Sequence, residues 1–149
     1  MHDQDMMGTF LGFDFGTKRI GIAVGQSITQ TARPLITLSA QNGVPQPLAL
    51  AKVIQEWQPT ALIVGLAMQP DGSHSATSRK ALKFGQSLHA QFQLPVYYIE
   101  ERLTSVAALE RIKESSTTSA IERDKDAQAA AIILESWLQS ELKEKHAPV

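Results

Sequence analysis

The chain contains no cysteine among its 149 residues. Disulfide bonds and thiolate metal sites are therefore excluded, and this composition fits a protein of a reducing compartment. The first seven residues, MHDQDMM, lack the basic and apolar regions of a signal peptide. We expect a cytoplasmic protein with neither a membrane span nor a membrane partner.

An excess of either charge is also missing. Fourteen Lys and Arg residues are balanced by fifteen Asp and Glu residues, and the pI is near 6.4. A global field that attracts a polyanion is therefore excluded, so any contact with nucleic acid has to be local. Short basic clusters could provide it, although each is equally typical of a solvated surface: Lys18 with Arg19; Arg79, Lys80 and Lys83; Arg111 with Lys113; Arg123 with Lys125.

The hydrophobic content of 43% is sufficient for one compact domain with a real core. We expect a single domain over residues 1–149, with an ordered core from about residue 8 to residue 142. Hydrophobic patterns alternate along it in the order typical of an α/β fold. They predict a hairpin over 9–24, strands over 32–39, 61–65 and 96–100, and helices ending before Pro59, over 76–93 and from about 124.

The first predicted strand ends in an aspartate, Asp14. Phe10 and Gly12 share its face, so the carboxylate stands on an apolar sheet surface. Such a surface is a poor environment for a carboxylate unless a metal ion or a donor neutralises its charge. The alternative is an aspartate that only caps the turn before Lys18.

Two glutamates, Glu100 and Glu101, come at the end of the last predicted strand. Chemistry in open α/β sheets collects beyond the carboxyl ends of parallel strands, so at least one of them is a candidate site residue. The alternative is that both are simply solvated.

A third acid, Asp126, lies on a predicted helix. It shares one helix face with Ala129, Ala130, Ile133 and Trp137. We expect Asp126 in the first turn on the buried stripe, delivered to the strand ends by the small alanines, and Asp124 as a cap. A helix dipole also favours an anion in the first turn, which is the structural alternative.

Together the three acids would form a hard pocket of oxygen ligands only. Such a pocket suits Mg²⁺ or Mn²⁺ rather than zinc. Two such ions can activate water and stabilise the leaving oxygen of a phosphodiester. We assign none of the scattered histidines to this chemistry.

Four segments taken in order resemble the motifs of one family. They are LGFDFGTKRIGIAVG, IVGLAMQPDGS, EERLTS and DAQAAAIILESWL, between about residues 9 and 140. They resemble the YqgF/RuvX family of bacterial pre-16S rRNA nucleases, also described as Holliday-junction-resolvase-like. The resemblance implies an RNase H-like three-layer fold, with a five-stranded mixed sheet whose second strand is antiparallel, flanked by helices. It also implies a role in ribosome biogenesis, processing the 5′ end of the 16S rRNA precursor.

Carried over by motif, the catalytic and metal-binding acids are Asp14, Glu101 and Asp126, and the motif selects Glu101 over Glu100. The chain departs from the family pattern at Glu100, where Asp is common, and at Ala67, where the family commonly has proline.

The resulting expectation is a metal-dependent endonuclease with a two-metal site of Mg²⁺ or Mn²⁺. Lys18, Arg19 and Arg102 are next to the acids in sequence and are expected to hold flanking phosphates. The expected partners are precursor rRNA, a ribosome precursor or branched DNA, with the protein a monomer or weak homodimer. Residues 114–122 are polar without an apolar period and predict a loop beside the site.

Three other functions stay open at this point. One is a Holliday-junction-type DNA resolvase. Another is a ribosome-assembly or transcription factor that binds nucleic acid without cleaving it, which would hold RNA equally well in chelator. The third is an ATP-binding module, because DFGTKRIGIAV also resembles the phosphate-binding hairpin of the actin and hexokinase superfamily.

Overall fold

The computed structural model describes residues 8–101 and 119–140. The described residues form six strands and three helices. In chain order these are β1 (Thr9–Asp14), β2 (Arg19–Gln26), β3 (Thr31–Gln41), β4 (Val44–Pro45), α1 (Pro47–Trp57), β5 (Ala61–Leu66), α2 (Ala76–Phe92), β6 (Val96–Glu100) and α3 (Ser119–Gln139).

The strands form one mixed sheet in the order β4-β3-β2-β1-β5-β6. β2 runs antiparallel to both β1 and β3, whereas β1, β5 and β6 are parallel to one another. The predicted mixed sheet with an antiparallel second strand is confirmed. Because β1, β5 and β6 are parallel, Asp14 and Glu100 end their strands at the same edge of the sheet.

The expected count of five strands is wrong, because β4 adds a sixth. The turn between β3 and β4 is Asn42-Gly43, with φ of 51° and 81°, a combination typical of tight hairpin turns. β4 contains only two residues, too few for an alternating pattern to be visible in the sequence. It lies between the strand predicted over 32–39 and the helix predicted to end before Pro59.

Helices cover both faces of the sheet, which confirms the three layers. On one face, Leu50 and Val53 of α1 and Phe84 and Leu88 of α2 pack against the sheet. On the other, α3 buries an apolar stripe that ends at Leu138. None of the helices within 8–101 and 119–140 is both long and apolar enough to cross a membrane.

The ends of α1 and α2 follow from local sequence. Pro47 occupies the first turn of α1, and Gln58 ends the helix in the left-handed region. The Ser75 side chain caps α2 by accepting a hydrogen bond from the Ser78 N–H at 2.9 Å. Gln93, also left-handed, ends α2. The C-terminal ends of α1 and α2 both agree with the sequence prediction.

The start of α3 differs from the prediction. The helix begins at Ser119, so the predicted loop is wrong for residues 119–122, and residues 114–118 lie outside the described range. Asp126 is therefore in the third turn, and Asp124 lies inside the helix rather than at its predicted start. The helix dipole gives no account of Asp126. Extending a helix requires no new nucleus, so ordinary helix formers join it without an apolar period.

Candidate active site

Glycines on the sheet let α3 pack directly on β1 and β2. A Cβ added to Gly12 would lie 2.6 Å from the Cβ of Leu134, and one added to Gly21 would overlap the carbonyl oxygen of Asp126. Ala129 and Ala130 are buried as predicted. The close approach thus depends on small residues in the strands as well as in the helix.

The same contact places Asp126 beside Asp14. Gly21, which touches the Asp126 backbone, is the residue that pairs with Asp14 across β1 and β2. Paired residues on antiparallel strands have Cα atoms about 4.5–5.5 Å apart. Asp14 and Asp126 are both partly buried. Two acids remote in sequence therefore lie at one end of the sheet.

Asp126 already has a cationic partner. The Nε of Arg19 donates to Oδ2 of Asp126 at 2.7 Å, and the two side chains are 37% and 24% exposed. Arg19 begins β2, just across the turn from Asp14. An ion pair this exposed contributes about 0–1 kcal/mol to folding. The guanidinium expected to hold a phosphate thus contacts the second acid.

The third predicted acid lies farther away. β6 is separated from β1 by β5, and strands are about 4.8 Å apart, so the two backbones are about 10 Å apart. Ile99 packs in the cluster on the α3 side, and alternation directs Glu100 to the opposite face. This supports Glu101 over Glu100 as the acid that faces Asp14 and Asp126.

The three acids have the chemistry of a metal site but are not placed close enough together to form one. Carboxylates are the ligands that Mg²⁺ and Mn²⁺ prefer. Among the residues whose side chains the structure describes, 8–101 and 125–140, however, no group of three or more Asp, Glu or His side chains lies close enough together to hold one ion. As placed, the three acids do not form the expected metal site. Arg102, predicted to bind phosphate, lies outside the described residues.

Around these acids, Lys18 is exposed, and its contact with a phosphate stays a prediction. The loop after β5 is held by hydrogen bonds, including one from the Ser75 hydroxyl to the Ala67 carbonyl at 2.7 Å. Within it, the backbone N–H and hydroxyl of Ser73 both donate to Asp71, which lowers the pKa of that carboxyl. Ala67, where the family commonly has proline, is therefore held in place by the hydrogen bond that its carbonyl accepts from Ser75.

Sequence reasoning missed Gly21 as a site residue. Its signal was present, because Gly21, Ala23 and Gly25 are the small residues that alternate with the apolar positions of β2. Nothing in that alternation indicated which helix would pack on them, since the contact with Asp126 depends on tertiary structure.

Residues 8–140 match the family described as RuvX, Holliday junction resolvase. The chain belongs to the RuvX family. This RuvX-family chain is 50% identical over 129 residues to a protein of Pseudomonas aeruginosa named "putative pre-16S rRNA nuclease", covering 86% of this chain and 90% of the relative. A protein of the same name from Hydrogenovibrio crunogenus is 43% identical over 133 residues, covering 89% and 95%.

Solved structures confirm the RNase H-like fold. The Thermus thermophilus resolvase RuvC in complex with a Holliday junction substrate aligns with a TM-score of 0.55 at 17% identity, covering 95% of this chain and 99% of RuvC. The fowlpox virus resolvase, solved with Holliday junction DNA, aligns with a TM-score of 0.51 at 10% identity, covering 89% and 99%.

Proposed function

We propose that this RuvX-family chain is an endonuclease that hydrolyses phosphodiester bonds where Asp14 and Asp126 adjoin. The packing of the Asp126 backbone on Gly21, the pairing partner of Asp14, carries this proposal. Asp14 ends β1, and Asp126 belongs to α3. Both acids lie at the carboxyl end of β1, and active sites in such sheets usually lie at the carboxyl ends of the parallel strands.

We propose Asp14, Asp126 and Glu101 as the residues that would hold divalent Mg²⁺ or Mn²⁺, in a two-ion site. The chemistry that such ions supply is activation of water and stabilisation of the leaving oxygen. Two rearrangements would complete the site. Arg19 has to release Asp126, and Glu101 has to approach across β5.

The basic residues then position the substrate. Lys18 and Arg19 flank the turn after Asp14, and with Arg102 they are proposed to hold phosphates on either side of the cut. Contacts to phosphate fix the register of a strand without reading its sequence. The balanced net charge limits this attraction to the site itself.

The proposed substrate is the precursor of 16S rRNA, in the cytoplasm. The name shared by the relatives with 43–50% identity supports it. The family description favours a second candidate, the four-way DNA junction. RNA ranks first because the relatives are far more similar to this chain than the solved resolvases are.

Cleavage assays with both substrates test the proposal. The chain is incubated with Mn²⁺ and either a precursor 16S rRNA 5′-end fragment or a four-way DNA junction. Asp14→Asn and Asp126→Asn are the test variants, and Glu56→Gln, which removes an exposed carboxylate on α1, is the matched control. We expect both test variants to lose at least about 100-fold in rate, because each removes a carboxylate proposed to hold the divalent ions that activate water and stabilise the leaving oxygen.

Undiminished cleavage by Asp14→Asn would refute the assignment. RNA binding that persists in chelator, with no product in Mn²⁺, would instead identify a nucleic-acid-binding factor without nuclease activity.

A further inference from the structure

A cavity lies on the sheet face opposite α3. It has a volume of about 290 Å³, is open to solvent on one side and is lined by α2, the start of α1 and the turn between β3 and β4. Phe15, the residue directly after Asp14, is part of its wall. Consecutive Cα atoms are about 3.8 Å apart, so the backbone of the cavity wall begins one residue from Asp14. Alternation directs the Asp14 side chain to the α3 face of the sheet, so a substrate strand that reaches both has to pass the carboxyl end of β1.

Hydrogen bonds join the cavity wall to the turn that follows Asp14. The Gly43 N–H donates to the Thr17 carbonyl at 2.9 Å, and the Ala40 N–H donates to the Lys18 carbonyl at 2.8 Å. Gly43 also lies against the ring of Phe15, since a Cβ there would be 2.5 Å from the ring. The cavity and the candidate active site therefore share one fixed segment, residues 15–18.

The lining combines an aromatic floor with a basic rim. The rings of Phe15 and Phe84 have centroids 5.4 Å apart and are tilted by 41°. Lys80 and Lys83 line the cavity from α2, and both are exposed. Of the described residues that line it, none is acidic.

This lining matches the chemistry of a nucleotide. Aromatic side chains stack on bases of any sequence, and ammonium groups attract phosphate as point charges. Side-chain amides and a hydroxyl, from Asn42, Gln91 and Ser87, are also present on the lining and can bond base edges. A purely apolar ligand would leave the two lysines without a role.

We propose that the cavity binds one unpaired nucleotide of the substrate strand, with its base against Phe15 and its phosphate at Lys80 and Lys83. The proposal rests on the proposed function, since Asp14 marks the position of the cut. A base inside a duplex is stacked and paired and cannot enter a pocket. The cavity would thus select substrates with a single-stranded nucleotide beside the scissile phosphate.

Binding in chelator, where no cleavage occurs, tests this inference on the full chain. The probes are a short single-stranded oligouridine, a blunt RNA duplex of equal length, and AMP. The double variant Lys80→Gln with Lys83→Gln removes the rim charges, and Phe15→Leu removes the ring while nearly keeping the volume. Lys52→Gln is the matched control, because Lys52 is an exposed cation of α1 that is not part of the lining.

We expect the single strand to bind more tightly than the duplex. The double lysine variant should weaken single-strand binding about tenfold, and Phe15→Leu about fivefold or more. Lys52→Gln should change it less than about twofold. Thermal unfolding of each variant checks that the fold is retained. Signals of Leu50 and Leu88, which line the cavity, should shift in NMR spectra when the strand binds.

Equal binding of single strand and duplex, or lysine variants that bind like the original chain, would overturn the inference. AMP that binds as tightly as the oligonucleotide would also overturn it, by showing a site for free nucleotides. Failure of the nuclease proposal is separate. It would appear as cleavage by Asp14→Asn, whereas these measurements involve no cleavage.

Discussion

The backbone of Asp126 packs directly on Gly21, and Gly21 pairs with Asp14 across β1 and β2. The two acids can therefore lie close together because Gly21 has no side chain. Any side chain at position 21 has to displace α3 from the sheet.

Gly21→Ala should consequently destabilise the protein and separate the acids. Overpacking of this kind costs about 1–3 kcal/mol, measured as the free energy of unfolding in urea. Nuclease activity should fall by more than stability alone accounts for, because α3 positions Asp126.

Gly72→Ala is the control for Gly21→Ala. Gly72 has a φ of +88° but no atom within 4 Å of an added Cβ, so its cost of about 1 kcal/mol comes from backbone strain alone. Full activity in Gly21→Ala would show that the spacing of α3 is irrelevant to the site.

Arg19 and a divalent ion should compete for Asp126. Removing the guanidinium in Arg19→Gln should tighten Mn²⁺ binding by about two- to fivefold, the range that a partly exposed ion pair permits. Isothermal titration measures the affinity. Lys18→Gln removes a neighbouring exposed cation and should leave Mn²⁺ affinity within error. Weaker Mn²⁺ binding in Arg19→Gln would mean that Arg19 supports the site rather than blocking it.

Lys18 should contribute to the salt dependence of RNA binding. Each phosphate contact on a single strand contributes about −0.7 to the slope of log K against log salt. Lys18→Gln should therefore make the slope shallower by about 0.7. The control Lys52→Gln removes an exposed lysine of α1 and should leave the slope unchanged. An unchanged slope in Lys18→Gln would remove Lys18 from the interface.

Asp71 should titrate below its ordinary pKa of 3.8, because the side chain and backbone of Ser73 donate to its charged form. A lowered pKa in the folded state means that this interaction is present above pH 3.8 and is lost as the pH falls through the folded pKa. NMR titration of the carboxyl carbon measures the midpoint. Ser73→Ala should move the midpoint upward, and Ser87→Ala should not. Equal midpoints in all three proteins would contradict the hydrogen bonds of this loop.

The sequence predicted most of the fold because its signals were local. The continuous apolar run of β5 and the serine before α2 determine elements without tertiary information. β4 and the first residues of α3 were missed for physical reasons. A two-residue strand is too short to show an alternating pattern of apolar residues. A helix can extend through residues that show no apolar period.

The sequence indicated candidate acids, whereas the geometry of the candidate site was only partly predictable. Strand ends and one helix stripe indicated Asp14, Asp126 and the pair Glu100 and Glu101, and the resemblance to the family selected Glu101. The structure brings Asp14 and Asp126 to the same end of the sheet. The contact of Arg19 with Asp126 depends on how β2 meets α3, which no local pattern encodes. The cavity beside Phe15 could not be predicted from the sequence either, because its wall combines two lysines of α2 with a hairpin turn.

A Mn²⁺-binding cycle tests the central claim, that Asp14 and Asp126 form one site, most directly. The affinities of the original chain, Asp14→Asn, Asp126→Asn and the double variant are measured by isothermal titration. We predict that each single variant loses most of the affinity and that the double variant loses little more, because residues of one site are coupled by about 0.5–3 kcal/mol. Strictly additive losses, or unchanged affinity in either single variant, would contradict the account.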